Sequence, residues 1–234
     1  MAEFVLYPIS ESAVTLQFGS VINKENFDKV IGHCRAIENN PFAGFKEVVP
    51  AYTTLTIHFD LKGVMQSNLK GQSTVEKISN YINSLAILVD KSMVQQKFDI
   101  PVCYDDEFGL DLSELSKGSG LPVEKIIHLH ASNTYTVFMI GFAPGFPYMA
   151  ELPTALHCKR KSTPRKKVPA GSVAIAGNQT GIYPFETPGG WQIIGRTPLK
   201  LFDGARQMPS LLQAGMQIKF MPISREQFNK LSVA

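Results

Sequence analysis

Val168-Pro-Ala-Gly-Ser-Val-Ala-Ile-Ala-Gly177, Gln179-Thr-Gly-Ile-Tyr-Pro184 and Thr187-Pro-Gly-Gly-Trp-Gln-Ile-Ile-Gly-Arg-Thr-Pro198 follow one another almost without a break. Each is a short apolar run interrupted by glycine or proline, which bend the chain sharply or stiffen it. Stiff or specially bent loops are the expected outcome. The pattern extends outward in both directions. Gly141-Phe-Ala-Pro-Gly-Phe-Pro-Tyr148 has the same grammar, and Tyr135–Phe142, Val168–Ala176, Gly190–Gly195, Lys200–Asp203 and Gln217–Pro222 read as further short apolar runs. Many short strands at close spacing imply a β-barrel or sandwich. Two helical patterns precede them, at Asp111–Lys117 and at Pro122–His130, where Pro122 suits a first helical turn.

Residues 1–95 obey different rules. Phe4–Pro8 and Ala13–Phe18 are apolar runs parted by the turn-like Ser10-Glu11-Ser12. Asn23 can cap a helix whose apolar face is Phe27, Val30, Ile31, Cys34 and Ile37, and Asn39-Asn40-Pro41 stops it. Phe45–Val49 reads as a strand. In Thr54–Phe59, Leu55, Ile57 and Phe59 alternate with polar residues at the period of a half-buried strand. Ser73 opens a helix with Val75, Ile78, Ile82, Leu85 and Val89 on one face. The order ββαββα indicates a small α+β domain, its helices on one side of a sheet, with the boundary near residues 92–98.

The 234 residues suffice for one large domain or two small ones, and the apolar and charged fractions are those of a folded globular protein. A net charge of +3 does not by itself imply a nucleic-acid or membrane partner. Cys34, Cys103 and Cys158 are few, odd in number and far apart, which fits a reducing compartment rather than a disulfide framework. The N-terminus has an acidic residue where a signal peptide has basic ones, and no apolar run approaches the ~20 residues that span a bilayer. A cytoplasmic protein is expected.

The polar side chains within the Gly/Pro-rich loops are those that hold planar or anionic ligands: Arg165, Gln179, Thr180, Tyr183, Trp191, Gln192 and Arg196. Arginine presents a fixed fork of donors to carboxylate or phosphate, and the lone tryptophan supplies a rigid wall. The same prolines and glycines are equally consistent with the corners of a barrel whose core holds Trp191. Spacing does not choose between these readings.

The three quoted segments, with Gly141–Tyr148 and Pro164-Arg165, closely resemble the KipI family, also called the 5-oxoprolinase B-subunit family or allophanate hydrolase subunit 1. Its members carry a GFxPGFPY segment, a PR…VPAGSV segment and a PGGWxxIGRTP segment. The likeness continues through Gly44-Phe-Lys-Glu-Val-Val-Pro-Ala-Tyr52, Ile100-Pro-Val-Cys-Tyr104, Glu107-Phe-Gly109, the helix ending in His130 and Leu211-Leu-Gln-Ala-Gly215. One departure stands out. The family usually has Asp after that last glycine, and here Met216 removes a carboxylate that could form the turn.

The resemblance implies an α+β N-terminal domain, ferredoxin-like, over residues 1–95, followed by a cyclophilin-like β-barrel over 96–234. It implies the B component of an ATP-dependent 5-oxoprolinase, which converts 5-oxoproline to glutamate. The expected partners are a KipA-like C component and a lactam-hydrolysing A component, with ATP and Mg²⁺ bound jointly with the partner. Two alternatives come with it. One is an inhibitor of a sporulation histidine kinase; the other is a carboxyltransferase component related to allophanate hydrolase and urea carboxylase. An enzyme role requires Arg, Gln and His side chains aimed at one cavity, whereas a kinase regulator requires an exposed apolar groove. No GxxxxGK[ST] phosphate loop is present.

On these grounds His130, Arg196 and Gln179 are the candidate catalytic groups, and histidine suits proton transfer near neutral pH. Arg160, Arg165, Thr180, Tyr183, Trp191 and Gln192 are candidates for ligand binding, and Phe142, Phe146 and Tyr148 for a groove that meets a partner. The basic run from Lys159 to Lys167 lacks interleaved aromatics, which argues against nucleic acid. His157-Cys158 has no second ligand pair at zinc spacing, so no metal is assigned. Asp105, Asp106 and Glu107 read as a solvated turn, and His33 and His58 as structural.

Overall fold

The computed structural model describes residues 4–87 and 97–232, and backbone contacts part the chain into two units, Met1–Val94 and Gln95–Ala234. The first contains β1 (Val5–Ser10), β2 (Ala13–Gln17), α1 (Lys24–Asn39), β3 (Phe45–Pro50), β4 (Thr54–Phe59), α2 (Leu61–Gln66) and α3 (Thr74–Ser84). Its sheet has the order β1-β2-β4-β3, every neighbour antiparallel. Asn23 caps α1, its side chain accepting from the Asn26 amide at 2.9 Å, and Phe27, Val30, Cys34 and Ile37 are buried as their spacing requires. Leu55, Ile57 and Phe59 of β4 are buried against them. His33 is buried too, its Nδ1 2.8 Å from the Lys29 carbonyl oxygen.

The extra helix α2 was not legible in the sequence. Asp60 supplies its cap, accepting from the Gly63 amide at 2.7 Å, and only one turn and a half follow. Ser73 caps α3 as expected, but Leu85 already stands at the C-cap in extended backbone. Val89 lies outside the described residues.

The second unit comprises β5 (Lys97–Val102), α4 (Leu112–Ser119), α5 (Val123–Ser132), β6 (Thr134–Ile140), β7 (Pro147–Ala150), a single 3₁₀ turn (Thr154–Leu156), β8 (Arg165–Val168), β9 (Ser172–Ala176), β10 (Gln179–Ile182), β11 (Thr187–Gly189), β12 (Gln192–Arg196), β13 (Gln217–Pro222) and α6 (Arg225–Ser232). Seven strands form one sheet, ordered β12-β9-β10-β7-β6-β13-β5, with β8 and β11 as a separate ribbon. Its neighbours run antiparallel except β13 and β5. Just past β5, Cys103 exchanges two backbone hydrogen bonds of 2.9 Å with Arg196 of β12. The two edges of the sheet thereby meet, and the sheet is nearly closed into a barrel. Closure removes exposed edges that would otherwise pair with other chains.

Alternation along β9 shows how the barrel is filled. Val173 and Ile175 join the inner core with Ile100, Tyr135, Ile218 and Phe220, while Ala174 and Ala176 join a second cluster outside it. That outer cluster is Phe146, Tyr183, Trp191 and Ile193, packed with Val168 of the β8–β11 ribbon. Two readings of the sequence need correction. The run Val168–Ala176 is not one strand, because Pro169–Gly171 turns the chain and Gly171 sits at φ +78°. Lys200–Asp203 forms no strand; Phe202 makes only an isolated bridge to Ser210.

Candidate functional site

Phe146 is the hub of an aromatic face on the outside of the barrel. Its ring centroid lies 5.6 Å from Phe142, 4.8 Å from Tyr148, 5.2 Å from Tyr183 and 5.6 Å from Trp191, all within the range of favourable tilted and edge contacts. Phe146, Tyr183 and Trp191 are buried, Tyr148 is half-buried, and Phe142 is 63% exposed. The turn between β6 and β7 holds Phe142 outward at φ +65°, a left-handed conformation that costs a non-glycine residue roughly 1–2 kcal/mol. The exposed Arg160 lies over Trp191, its guanidinium carbon 6.0 Å from the ring centroid. Burial pushes the Tyr148 phenol up, and Arg160 partly draws it back. An exposed ring, a phenol and a guanidinium thus share one rigidly backed surface. Aromatic and arginine side chains of this kind are what anchor partners or planar anionic ligands.

Most of the neighbouring basic residues are committed elsewhere. Asp111, only 1% exposed, accepts from Arg165 Nη1 at 2.8 Å and Nη2 at 2.7 Å, from Lys161 Nζ at 2.9 Å and from the Ile193 amide at 2.7 Å. Burial alone would raise its pKa; Arg165, the Ile193 amide and Lys161 outweigh it and hold the carboxyl below the usual range. Lys161 also pairs with Glu114, and Lys167 with Glu186. The expected ligand role of Arg165 is therefore corrected: its fork is filled by Asp111, which pins the basic loop to α4 and β12. Asp111 was visible in the sequence only as the start of a helix.

His130 requires a larger correction. It is wholly buried in the barrel interior, its ring 4.4 Å from Phe220. Tyr104 Oη lies 2.8 Å from its Nδ1 and Thr180 Oγ1 2.9 Å from its Nε2, while Thr180 donates to the Ala174 carbonyl at 3.1 Å. The donors therefore run one way. Tyr104 donates to Nδ1, Nε2–H donates to Thr180, and Thr180 donates to Ala174, which assigns the Nε2–H tautomer. Desolvation lowers the His130 pKa to about 3, so the ring is neutral at any ordinary pH. Neither His130 nor Thr180 meets solvent, and both serve the core.

Arg196 donates from Nε to the Ala170 carbonyl at 2.7 Å and sits 6.0 Å from the Phe108 ring, beside the closure of the barrel. Gln179 starts β10, opposite Ala176 and Ala150. Gln192 lines a cavity between α4, α5 and β9. Glu107 pairs with Arg225, and the Phe108 and Gly109 amides both donate to the Asp105 carbonyl, so the acidic cluster is a turn. Among the described residues no three His, Cys, Asp or Glu side chains group so as to hold a metal ion. The convergent cup of Arg, Gln and His is thus not what folds. Six of the named residues come together, Phe142, Phe146, Tyr148, Arg160, Tyr183 and Trp191, and they form a face.

Met216 is buried in the inner core, and its Sδ lies 3.1 Å from the Gln213 amide. The sulfur stands where a local acceptor closes the turn, a weak substitute for a carboxylate. No described helix is long and apolar enough to cross a membrane.

Residues 4–212 match the family described as carboxyltransferase domain, subdomain C and D. The chain is 42% identical over 224 residues to the B subunit of 5-oxoprolinase from Bacillus subtilis strain 168, covering 94% of this chain and 93% of that one. It is 38% identical over 216 residues to the B subunit of 5-oxoprolinase from Haemophilus influenzae, covering 92% and 96%. Among solved structures, TTHA0988 superposes with a TM-score of 0.78 at 32% identity over 91% of this chain. This chain spans 40% of the length of that one.

Proposed function

The chain belongs to the family of carboxyltransferase domains, subdomain C and D, and from that membership we propose that it serves as the B component of an ATP-dependent 5-oxoprolinase. Identity of 42% and 38% along nearly the full length of two proteins of that name carries the reading. Within it, residues 1–95 form a ferredoxin-like α+β domain and residues 96–234 a cyclophilin-like barrel, working in the cytoplasm. The barrel offers a docking face rather than a complete active site. A KipA-like C component closes over Phe142, Tyr148 and Arg160, and an A component opens the lactam to glutamate.

A five-membered lactam is a poor electrophile, and its opening needs the input that ATP supplies. Transfer of a phosphoryl group depends chiefly on positioning and on cations set against developing negative charge. This chain can contribute only part of a phosphate cradle. Lys161 and Arg165 are paired with Asp111 and Glu114, Lys167 faces Glu186, and Arg196 is tied to Ala170, which leaves Lys159, Arg160 and Lys166 on the exposed loop. With no three-residue metal-binding group among the described residues, no step through Mg²⁺ is assigned to this chain. The ion would travel with the nucleotide phosphates and the partner.

A second reading rests on the same surface. The exposed Phe142 and the lack of a convergent polar cup also suit a regulator that docks on a histidine kinase. Reconstitution decides between them. The three components, ATP and 5-oxoproline should release glutamate and ADP, and leaving out this chain should abolish release. Full activity without it would remove the enzyme reading.

A further inference from the structure

The charge of this chain is concentrated in one place. The sequence holds 23 lysines and arginines against 20 aspartates and glutamates. The segment from Lys159 to Lys167 contains six of those cations and no carboxylate. Three carboxylates reach it from elsewhere, Asp111 and Glu114 on Lys161 and Arg165, and Glu186 on Lys167. With the six cations and the three carboxylates set aside, 17 of each sign remain, so the whole surplus of +3 belongs to this loop. It is carried by Lys159, Arg160 and Lys166, which are exposed and have no ion-pair partner among the described residues.

The loop borders the aromatic face. The Lys161 amide donates to the Gly190 carbonyl at 2.7 Å, Arg165 lies opposite Gly189 in the β8–β11 ribbon, and Arg160 stands over the Trp191 ring. The Phe142 turn has a second basic neighbour. A Cβ on Gly145 would lie 2.8 Å from the Phe202 Cβ, and the next residue, Asp203, is shared by the exposed cations Lys200 and Arg206. No carboxylate occurs from Gly141 to Met149. One exposed ring is thus set among cations that folding leaves unpaired. Nucleic acid does not fit it, since stacking on successive bases needs several exposed rings, and here Phe146, Tyr183 and Trp191 are buried. We propose, on the B-component reading, that the partner covering Phe142, Tyr148 and Arg160 is a protein with an acidic face: an apolar recess for the Phe142 ring, rimmed by carboxylates that meet Lys159, Arg160 and Lys166. The two parts act at different steps. Exposed rim charges steer the encounter and are screened by salt, whereas a ring buried only after docking sets how long the complex lasts.

The test follows association of the full chain with the C component by stopped-flow mixing, alongside glutamate release by all three components. Raising salt from ~20 mM to ~500 mM should slow association at least about tenfold. Lys159→Glu with Lys166→Glu should slow it about as much at low salt and flatten the salt dependence, with dissociation changed less than about threefold. Lys125→Glu with Lys219→Glu makes the same change of charge on α5 and β13, three strands round the barrel from β10, and should alter association less than about threefold. Phe142→Ala should instead speed dissociation at least about tenfold and leave association nearly unchanged. If release needs the chain but association ignores both salt and the loop pair, the acidic rim is overturned and the enzyme reading stands. Equal slowing by the two double variants would reduce the effect to net charge and overturn the assignment to this loop. Tighter binding of an RNA oligonucleotide than of the C component would overturn it in favour of nucleic acid. If the chain neither binds the C component nor supports release, both readings fall.

Discussion

Asp111 and Arg165 meet fork to fork across 54 positions of sequence, through hydrogen bonds of 2.8 and 2.7 Å. The pair ties the start of α4 to the strand that begins the outer ribbon, and the Ile193 amide completes the carboxylate's shell. Removing one member of a buried pair leaves the other uncompensated, at a cost of about 3–5 kcal/mol. Asp111→Ala should therefore lower stability by an amount of that order in urea unfolding. Arg165→Lys should restore little, since lysine cannot offer two parallel donors.

Acid should destabilise the protein in a way traceable to His130. Its folded-state pKa of about 3 lies below the ordinary 6.5, so between those values the unfolded chain binds a proton that the folded chain refuses. The contribution is complete above pH 6.5 and declines as pH falls toward 3, by up to about 1.4 kcal/mol per pH unit. Asp111, held below its ordinary 3.8, adds a further loss that begins as pH falls through that value. Unfolding free energies measured from about pH 7 to pH 4 should slope accordingly, and His130→Gln should flatten the slope while lowering stability at neutral pH.

Gly171 should tolerate no side chain. It stands at φ +78°, and a Cβ there would lie 2.3 Å from the Thr197 carbonyl oxygen, which is backbone and cannot rotate away. Gly171→Ala should cost at least ~2 kcal/mol, combining strain with displacement of the β9–β12 connection. Thermal unfolding would show it, and an unchanged midpoint would mean the turn is looser than its geometry indicates.

Phe142 should behave in the opposite manner. Being 63% exposed and held at positive φ, it contributes little to folding. Phe142→Gly should leave stability unchanged or slightly raised, within about 0.5–1 kcal/mol. The same substitution should weaken association with the partner protein, read by calorimetry. A variant that unfolds, or one that binds its partner normally, would deny Phe142 an anchoring role.

Local patterning made much of the fold legible. Asn23 and the alternation of Thr54–Phe59 predict their elements to within a residue or two, and Ser73 predicts the start of α3 though not its end, because caps and period-2 burial are written in short spans. The helix α2 escaped notice because a turn and a half has no periodicity to display. The short strands β7, β10 and β11 escaped for the same reason, their pairing set by distant partners. The site was less legible. Phe142, Phe146, Tyr148, Tyr183 and Trp191 share one face, which the spacing of the Gly/Pro loops left open, and the polar residues read beside them lie elsewhere. Which arginine faces solvent depends on Asp111, 50 or more positions away. His130 lies on a helix whose buried side only the closed barrel reveals.

The most direct measurement follows glutamate release from 5-oxoproline and ATP as this chain is titrated into fixed amounts of the other two components. The rate is expected to climb from near zero and saturate with the natural chain, while Phe142→Asp requires at least about tenfold more protein to reach the same rate. A release rate indifferent to the presence of the chain would contradict its place in the enzyme.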